Sequence, residues 1–194
     1  MALSIRNIQP KFNPPQRGSI LISEPYLSDF HFRRTVVLIS DHNSDGSVGF
    51  VMNRLVDLMT SDVIPGMMKQ DFPLFFGGPV EPNTLHFIHK VGDLITGAQH
   101  IVNGIYWGGD IEMIDDLIDR KIARPEEFRF FAGYSGWSAG QLDEEIEQKA
   151  WWVGEKATES IFEDDLDTMW KNIVRNLGND FSYMADAPDD RSWN

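Results

Sequence analysis

Residues 131–146 read FAGYSGWSAGQLDEEI and put a serine, glycines and a run of carboxylates into one short segment. A serine on a tight strand-to-helix turn is the arrangement of a nucleophile elbow. Glycines two residues to either side let the backbone fold sharply and expose the hydroxyl for acyl transfer. Around Ser135 the frame is Gly133-Tyr134-Ser135-Gly136-Trp137, so a tryptophan stands where the second glycine belongs. Ser138-Ala139-Gly140-Gln141 fits better as a capping box. In that reading the chain bends at Gly136, the Ser138 hydroxyl closes a helix N-terminus, and Gln141 reaches back to the Ser138 amide. Trp137 and Leu142 then hold the positions of a hydrophobic staple. Such a cap contributes about 1 kcal/mol, and the helix start is preferred over the nucleophile.

Other constellations fail for physical reasons. DHNSDG (41–46) matches the first half of a calcium loop, with oxygen-bearing side chains at alternate positions and a glycine for the turn. Met52 stands where a bidentate glutamate is required, and strands flank the segment, so it reads as a strand-connecting turn ending in Asp45-Gly46. His42 in that turn remains a ligand-facing candidate. His86 and His89 lie three apart on one strand and so on opposite faces, and His100 is elsewhere, so no metal is expected. GxGxxG, GxxxxGK and HExxH are absent from the chain, and no cofactor is expected. Gly77-Gly78-Pro79 and Gly108-Gly109 read as tight turns, and Asp110 would repel an anion from the helix that follows it.

The elements that must position these residues are mostly short strands. SILIS (19–23), TVVLIS (35–40), SVGFVMN (47–53), PLFFG, TLHFIHK (84–90), QHIVNGIYW (99–107) and EFRFFAGY (127–134) are apolar, β-branched or aromatic, and bounded by turn residues. Three helices are predicted. One runs from Asp110 as N-cap with Ile111, Ile114, Leu117 and Ile118 on one stripe. A second follows Ser138. A third carries Leu166, Met169, Trp170, Ile173, Val174 and Leu177, with Gly178 as a left-handed C-terminal residue. A weaker fourth starts at Ser61. Strands in clusters with helices inserted late indicate an α+β domain, not a doubly wound parallel sheet. Residues 1–16 read as an arm, 17–180 as a single domain, and 181–194 as an acidic tail.

Composition narrows the function classes. The chain has 194 residues, no cysteine and a formal charge of -13, so disulfides and Cys-based zinc sites are excluded. Residues 143–194 hold 14 Asp and Glu against 5 Lys and Arg. With no basic stripe longer than Arg33-Arg34, direct nucleic-acid binding is not expected. No apolar run approaches the roughly 20 residues of a membrane span, and a cytoplasmic protein without membrane contact is expected.

Several segments together resemble the AlgH/YqgE family of bacterial proteins. They are GSILISEPYLSDFHFRRTVVLISDHNSDGSVGFVMNR, FFGGPV, AGYSGWSAGQLDEEIEQKAWWV and MWKNIVRNLG, in that order over roughly residues 17–178. The resemblance implies an α+β fold with a complex branched, partly barrel-like mixed sheet surrounded by helices. Some members carry the label of transcriptional regulator, and the resemblance brings no reaction, substrate or catalytic residue. The WWVGEKATESIFEDD segment departs from the family's shorter, less acidic link. Polar or aromatic positions in the shared motifs define an expected ligand cleft: His42, Asn43, Asn53, Gly77, Gly78, Tyr134, Trp137, Gln141 and Glu145. Segments 41–46, 77–80 and 134–141 are expected to converge there on a small ligand or a partner's peptide. The alternative is a hydrolase-like enzyme on a small or nucleotide-like substrate, with His42 as base and Glu145 as acid or orienter.

Overall fold

Leu21, Val37, Ile39 and Val51 alternate along their strands with Ile20, Ile22, Val36, Leu38, Phe50 and Met52, and both sets are buried. Strands with this pattern need cover on two faces. The computed structural model, which describes residues 14–186, supplies that cover around a ten-stranded sheet. The strands are β1 (Ser19–Ser23), β2 (Val36–Asn43), β3 (Gly46–Val51), β4 (Leu55–Met59), β5 (Pro73–Phe76), β6 (Val80–His89), β7 (Gln99–Val102), β8 (Ile105–Trp107), β9 (Phe128–Ser138) and β10 (Trp151–Lys156). Five helices accompany them: α1 (Thr60–Val63), α2 (Met113–Asp119), α3 (Gln141–Glu147), α4 (Leu166–Asn176) and α5 (Asn179–Ser182).

The main path of the sheet runs β10-β1-β2-β3-β9-β6-β8-β7, and a β4-β5 arm branches from it. The branch exists because β9 is 11 residues long and changes neighbours along its length. Its first half pairs antiparallel with β6 and parallel with β5, and Ser135 to Ser138 pair antiparallel with β3. The fold is therefore α+β, with a branched mixed sheet. One face of β1–β3 packs against α4 through Met169, Trp170 and Val174. The other face packs against Trp137, Leu142 and Trp151. A second core, including Phe72, Leu74, Ile114, Leu117 and Phe130, lies between the β4-β5 arm and α2.

Several sequence expectations change in the fold. QHIVNGIYW is two strands, β7 and β8, because Asn103 and Gly104 both adopt positive φ (43° and 79°) in the tight turn between them. The chain does not bend at Gly136: β9 continues through it to Ser138, with Gly136 opposite Val48. Helix α3 therefore starts later than expected, with Gly140 at its N-cap (φ 75°) and no side-chain cap. One arm of the expected capping box does form, since the Ser138 amide donates to Gln141 Oε1 at 3.0 Å, but the Ser138 hydroxyl donates to the same oxygen at 3.1 Å. Helix α2 begins at Met113, not next to Asp110, whose carboxylate accepts instead from the Glu112 amide at 3.1 Å. Gly178 lies at φ 124°, ψ 168°, outside the left-handed helical region.

Strands β4 and β10 are additions to the elements expected from sequence. Residues 181–186, expected as tail, form parts of α5 and a 3-10 turn, with Ala185 buried and Phe181 edge-on to Trp152 at 5.1 Å. Most of the expected arm, residues 1–13, and the rest of the expected tail, residues 187–194, lie outside the described residues. Among the described residues no helix is long and apolar enough to cross a membrane.

Candidate functional site

The long strand β9 decides the fate of Ser135. Its hydroxyl has no solvent exposure and donates to the Gly77 carbonyl at 2.9 Å. Gly77 and Gly78 are required there because two backbones meet: a Cβ on Gly77 would lie 2.1 Å from the Gly133 carbonyl oxygen, and one on Gly78 would lie 2.3 Å from the Tyr134 carbonyl. Ser135 therefore fastens a strand crossing and is in no position to attack a substrate. Chemistry at a nucleophile needs an approachable hydroxyl with a base in hydrogen-bond reach, and here the hydroxyl hydrogen is already committed to a carbonyl.

Glu145 is equally committed. Its Oε2 accepts from two indoles, Trp137 Nε1 at 2.9 Å and Trp151 Nε1 at 2.8 Å, and its Oε1 accepts from Gln141 Nε2 at 2.9 Å. Both tryptophans are buried, at 6% and 2% exposure. Gln141 and Glu145 share a face of α3 because they are four residues apart, and that face lies against the Trp137 and Trp151 side of the sheet. The group is a cross-brace of α3, β9 and β10.

Across the ladder His42 faces Ser47, and Ser47 faces Trp137, so these three side chains share the braced face. His42 Nδ1 and Ser47 Oγ share a hydrogen bond of 2.8 Å. No bond among the described residues joins His42 to Glu145. The adjacent row, Asp41, Val48 and Gly136, points to the opposite face.

An open cleft of about 420 Å³ draws on both rows and is lined by Asp41, Asn43, Asp45, Ser47, Val48, Val80, Tyr134, Gly136 and Trp137, with Gly46 at its hairpin end. Its hairpin wall is tied by local hydrogen bonds: Asn43 Oδ1 accepts from the Asp45 amide at 2.8 Å while Asn43 Nδ2 donates to Asp41 Oδ2 at 3.0 Å. The other Asp41 oxygen pairs with the Arg17 guanidinium. Tyr134 is set by His86, whose ring meets it edge-on at 5.6 Å and packs against Phe50 at 5.5 Å. Burial holds the His86 imidazole below its ordinary pKa, with Glu81 opposing, so His86 backs the tyrosine as a neutral ring. Gly136 leaves room beside it, since a Cβ there would come within 3.1 Å of the Tyr134 ring. Among the described residues the Tyr134 hydroxyl and the Asp45 carboxylate have no hydrogen-bond partner. They are the cleft's free polar groups, above an apolar floor of Val48, Val80 and the tyrosine ring.

The structure thus brings Asn43, Tyr134 and Trp137, from two of the expected segments, to one cleft with Val80 of the third. The remaining expected site residues lie elsewhere. Asn53 Oδ1 accepts from the Val36 amide at 2.9 Å and its Nδ2 donates to the Arg34 carbonyl at 3.0 Å, which makes it a clasp between β2 and the end of β3. His42, Gln141 and Glu145 belong to the braced face, and Gly77 and Gly78 to the strand crossing. Asp41, Asp45, Ser47, Val48, Val80 and Gly136 line the cleft although sequence reasoning does not select them. The alternation of β2 and β3 could have assigned Asp41 and Val48 to a shared face, but their bulge, between Ile39 and Asp41, is not visible in sequence. Among the described residues no group of three or more His, Asp or Glu side chains could hold a metal.

Fold and site together define an α+β protein whose branched sheet ends in an open cleft with an apolar floor and an acidic rim, its buried serine and its helix carboxylate both serving as structural ties. The chain belongs to the AlgH-like family, which it matches over residues 20–182. It is 40% identical to a protein of Chlorobaculum parvum over 179 residues, covering 92% of this chain and 96% of the relative. A protein of Cytophaga hutchinsonii is 36% identical over 92% of this chain and 98% of its own. Both relatives carry the name UPF0301 protein. Among solved structures, a crystal structure from Corynebacterium diphtheriae superposes with a TM-score of 0.72 at 22% identity, covering 90% of this chain and 94% of that one. The solution structure of AlgH from Pseudomonas aeruginosa superposes with a TM-score of 0.68 at 22% identity, over 97% and 98%. At that identity the two structures speak for the fold alone.

Proposed function

We propose that the protein is a non-enzymatic binding protein whose cleft between the β2–β3 hairpin, Val80 and Tyr134 takes a small ligand or a short peptide. The observation that carries this reading is a cleft of about 420 Å³ with an apolar floor, lined by a tyrosine hydroxyl and a carboxylate that have no hydrogen-bond partner among the described residues. Binding sites for small molecules combine these features, a mostly apolar concavity with a few fixed polar groups. The hydrolase alternative, with His42 as base and Glu145 as acid or orienter, is less favoured, because Glu145 already accepts three N–H groups and the His42 ring shares its hydrogen bond with Ser47. A regulatory role fits best when exerted through a ligand or protein partner. A net charge of -13 disfavours direct contact with a phosphate backbone.

The test is a fragment and metabolite screen on the full chain, read by amide NMR shifts and melting temperature. Binders are expected to move Asn43, Val48, Val80, Tyr134 and Gly136, and Tyr134→Ala is expected to weaken them about tenfold, the loss of roughly one aromatic contact. If screened compounds consistently shift other surfaces and leave these five amides still, the cleft is not the site.

A further inference from the structure

We propose that the cleft selects a monovalent organic cation, a guanidinium or primary ammonium carried on an apolar stem. The inference rests on reading the cleft as a binding site and adds the chemical class of its ligand. The pairing of the strands sets the shape that such a ligand must have. Asp41, Val48 and Gly136 form one row across β2, β3 and β9, and Tyr134, two residues before Gly136 on the same strand, shares their face. The tyrosine ring leans over the bare glycine, since a Cβ on Gly136 would meet it at 3.1 Å and Val80 Cγ2 at 3.5 Å. The hairpin end lies four residues further along β9, where Gly46 pairs with Ser138, about 13 Å from the level of Tyr134. Between those two ends β3 and β9 present Val48 and the glycine on that face, which suits an extended apolar stem.

Charge sets the head group. Asp41 and Asp45 line the cleft, and no Lys, Arg or His lines it among the described residues. Asp41 already uses both oxygens, one on the Arg17 guanidinium and one on Asn43 Nδ2, whereas the Asp45 carboxylate has no partner among the described residues. Two carboxylates against one guanidinium leave a single negative charge, so one added cation neutralises the site and an anion is repelled. The Arg17–Asp41 pair displays the accepted head group, with the Arg17 side chain still 46% exposed. Behind Tyr134, burial keeps the His86 imidazole below its ordinary pKa, so no opposing charge stands there. A stem that ends on the tyrosine face gains its apolar contact and the attraction of the ring's negative face for positive charge. The phenol hydroxyl remains for a polar group at the far end of the ligand.

The test is amide NMR titration of the full-length protein with four probes: N-acetyl-arginine amide, its neutral isostere N-acetyl-citrulline amide, the anionic N-acetyl-glutamate amide, and butylguanidine. The two guanidinium probes are expected to shift Asn43, Val48 and Gly136 and to bind about fivefold more tightly than the citrulline probe, the scale of one partly exposed ion pair. Asp45→Asn, a change that an exposed turn tolerates, is expected to erase that preference and leave the citrulline probe unaffected. Raising salt to about 0.5 M is expected to shrink it in the parent. Tighter binding of the arginine probe than of butylguanidine assigns the cation to an arginine of a partner, and equal affinities assign it to a free organic cation; both support the proposal. Citrulline or glutamate probes that bind at these amides as tightly as the cations, or a cation preference that survives Asp45→Asn, overturn the cation assignment and leave the cleft a binding site. Probes that shift only other surfaces overturn the reading of the cleft itself, and the cation assignment with it.

Discussion

Glu145→Ala tests the cross-brace directly. Removing the carboxylate leaves Trp137 Nε1 and Trp151 Nε1 without the acceptor they share at 2.9 and 2.8 Å. With only 6% and 2% of these residues exposed, water cannot replace the acceptor without opening the packing. Each buried donor left unpaired costs about 1–3 kcal/mol. The side chain also loses its bond to Gln141, so a total of about 3–5 kcal/mol is expected. That is a large share of the roughly 5–15 kcal/mol by which domains are stable. Glu145→Gln keeps one oxygen for the indoles and is expected to cost about 1 kcal/mol, the difference between charged and neutral acceptors. Urea denaturation followed by tryptophan fluorescence and far-UV circular dichroism reads both variants, and the near-UV spectrum reports the indole environment. If Glu145→Ala unfolds within about 0.5 kcal/mol of the parent, a margin typical of surface substitutions, the brace does not hold these elements together. A parent-like stability combined with lost ligand binding would return Glu145 to the role of a functional carboxylate.

Gly78→Ala is expected to cost more than about 3 kcal/mol or to abolish soluble expression, because its Cβ would sit 2.3 Å from the Tyr134 backbone. Gly66 has a positive φ, but a Cβ added there would meet nothing within 4 Å, so Gly66→Ala should cost only about 1 kcal/mol. Equal costs for the two, compared by urea denaturation, would show that the strand crossing is not tight. His89 is buried among Phe87, Tyr106 and Phe128, and burial pushes its pKa down to about 4 against the opposing bond to the Gly108 carbonyl. Above the unfolded value of about 6.5 the ring is neutral in both states. Between there and about pH 4 the unfolded chain gains a proton that the folded chain refuses, so stability falls as pH falls, by up to about 3 kcal/mol. Comparing urea midpoints at pH 7 and pH 4.5 should show part of this loss disappearing in His89→Phe; an identical pH slope in the two proteins would contradict it.

The family, the α+β class and the position of most strands were legible in the chain, because β-branched and aromatic runs bounded by turn residues specify strands locally. The stripe of α4 was legible for the same reason: Met169, Trp170 and Val174 fall at helical spacing. So was the β2–β3 turn at Asp45-Gly46. The β7–β8 turn carries an equally local signal, Asn103-Gly104, although the apolar residues on either side read as one continuous strand.

Tertiary structure alone decided which side of the sheet each residue served. Glu145 looks like a free helix carboxylate until β10, which local pattern does not announce, brings Trp151 to the oxygen that Trp137 already uses. Ser135 looks like a nucleophile or a helix start until β9 runs straight through Gly136 and the Gly77 carbonyl claims its hydroxyl. Side chains alternate faces along a strand, so a bulge or a few further residues of pairing is enough to send a residue to the opposite face. Pairing of that kind joins residues far apart in the chain, as Val80 and Tyr134 are joined at the cleft. Local pattern sets what each segment can become, and long-range pairing sets what it faces.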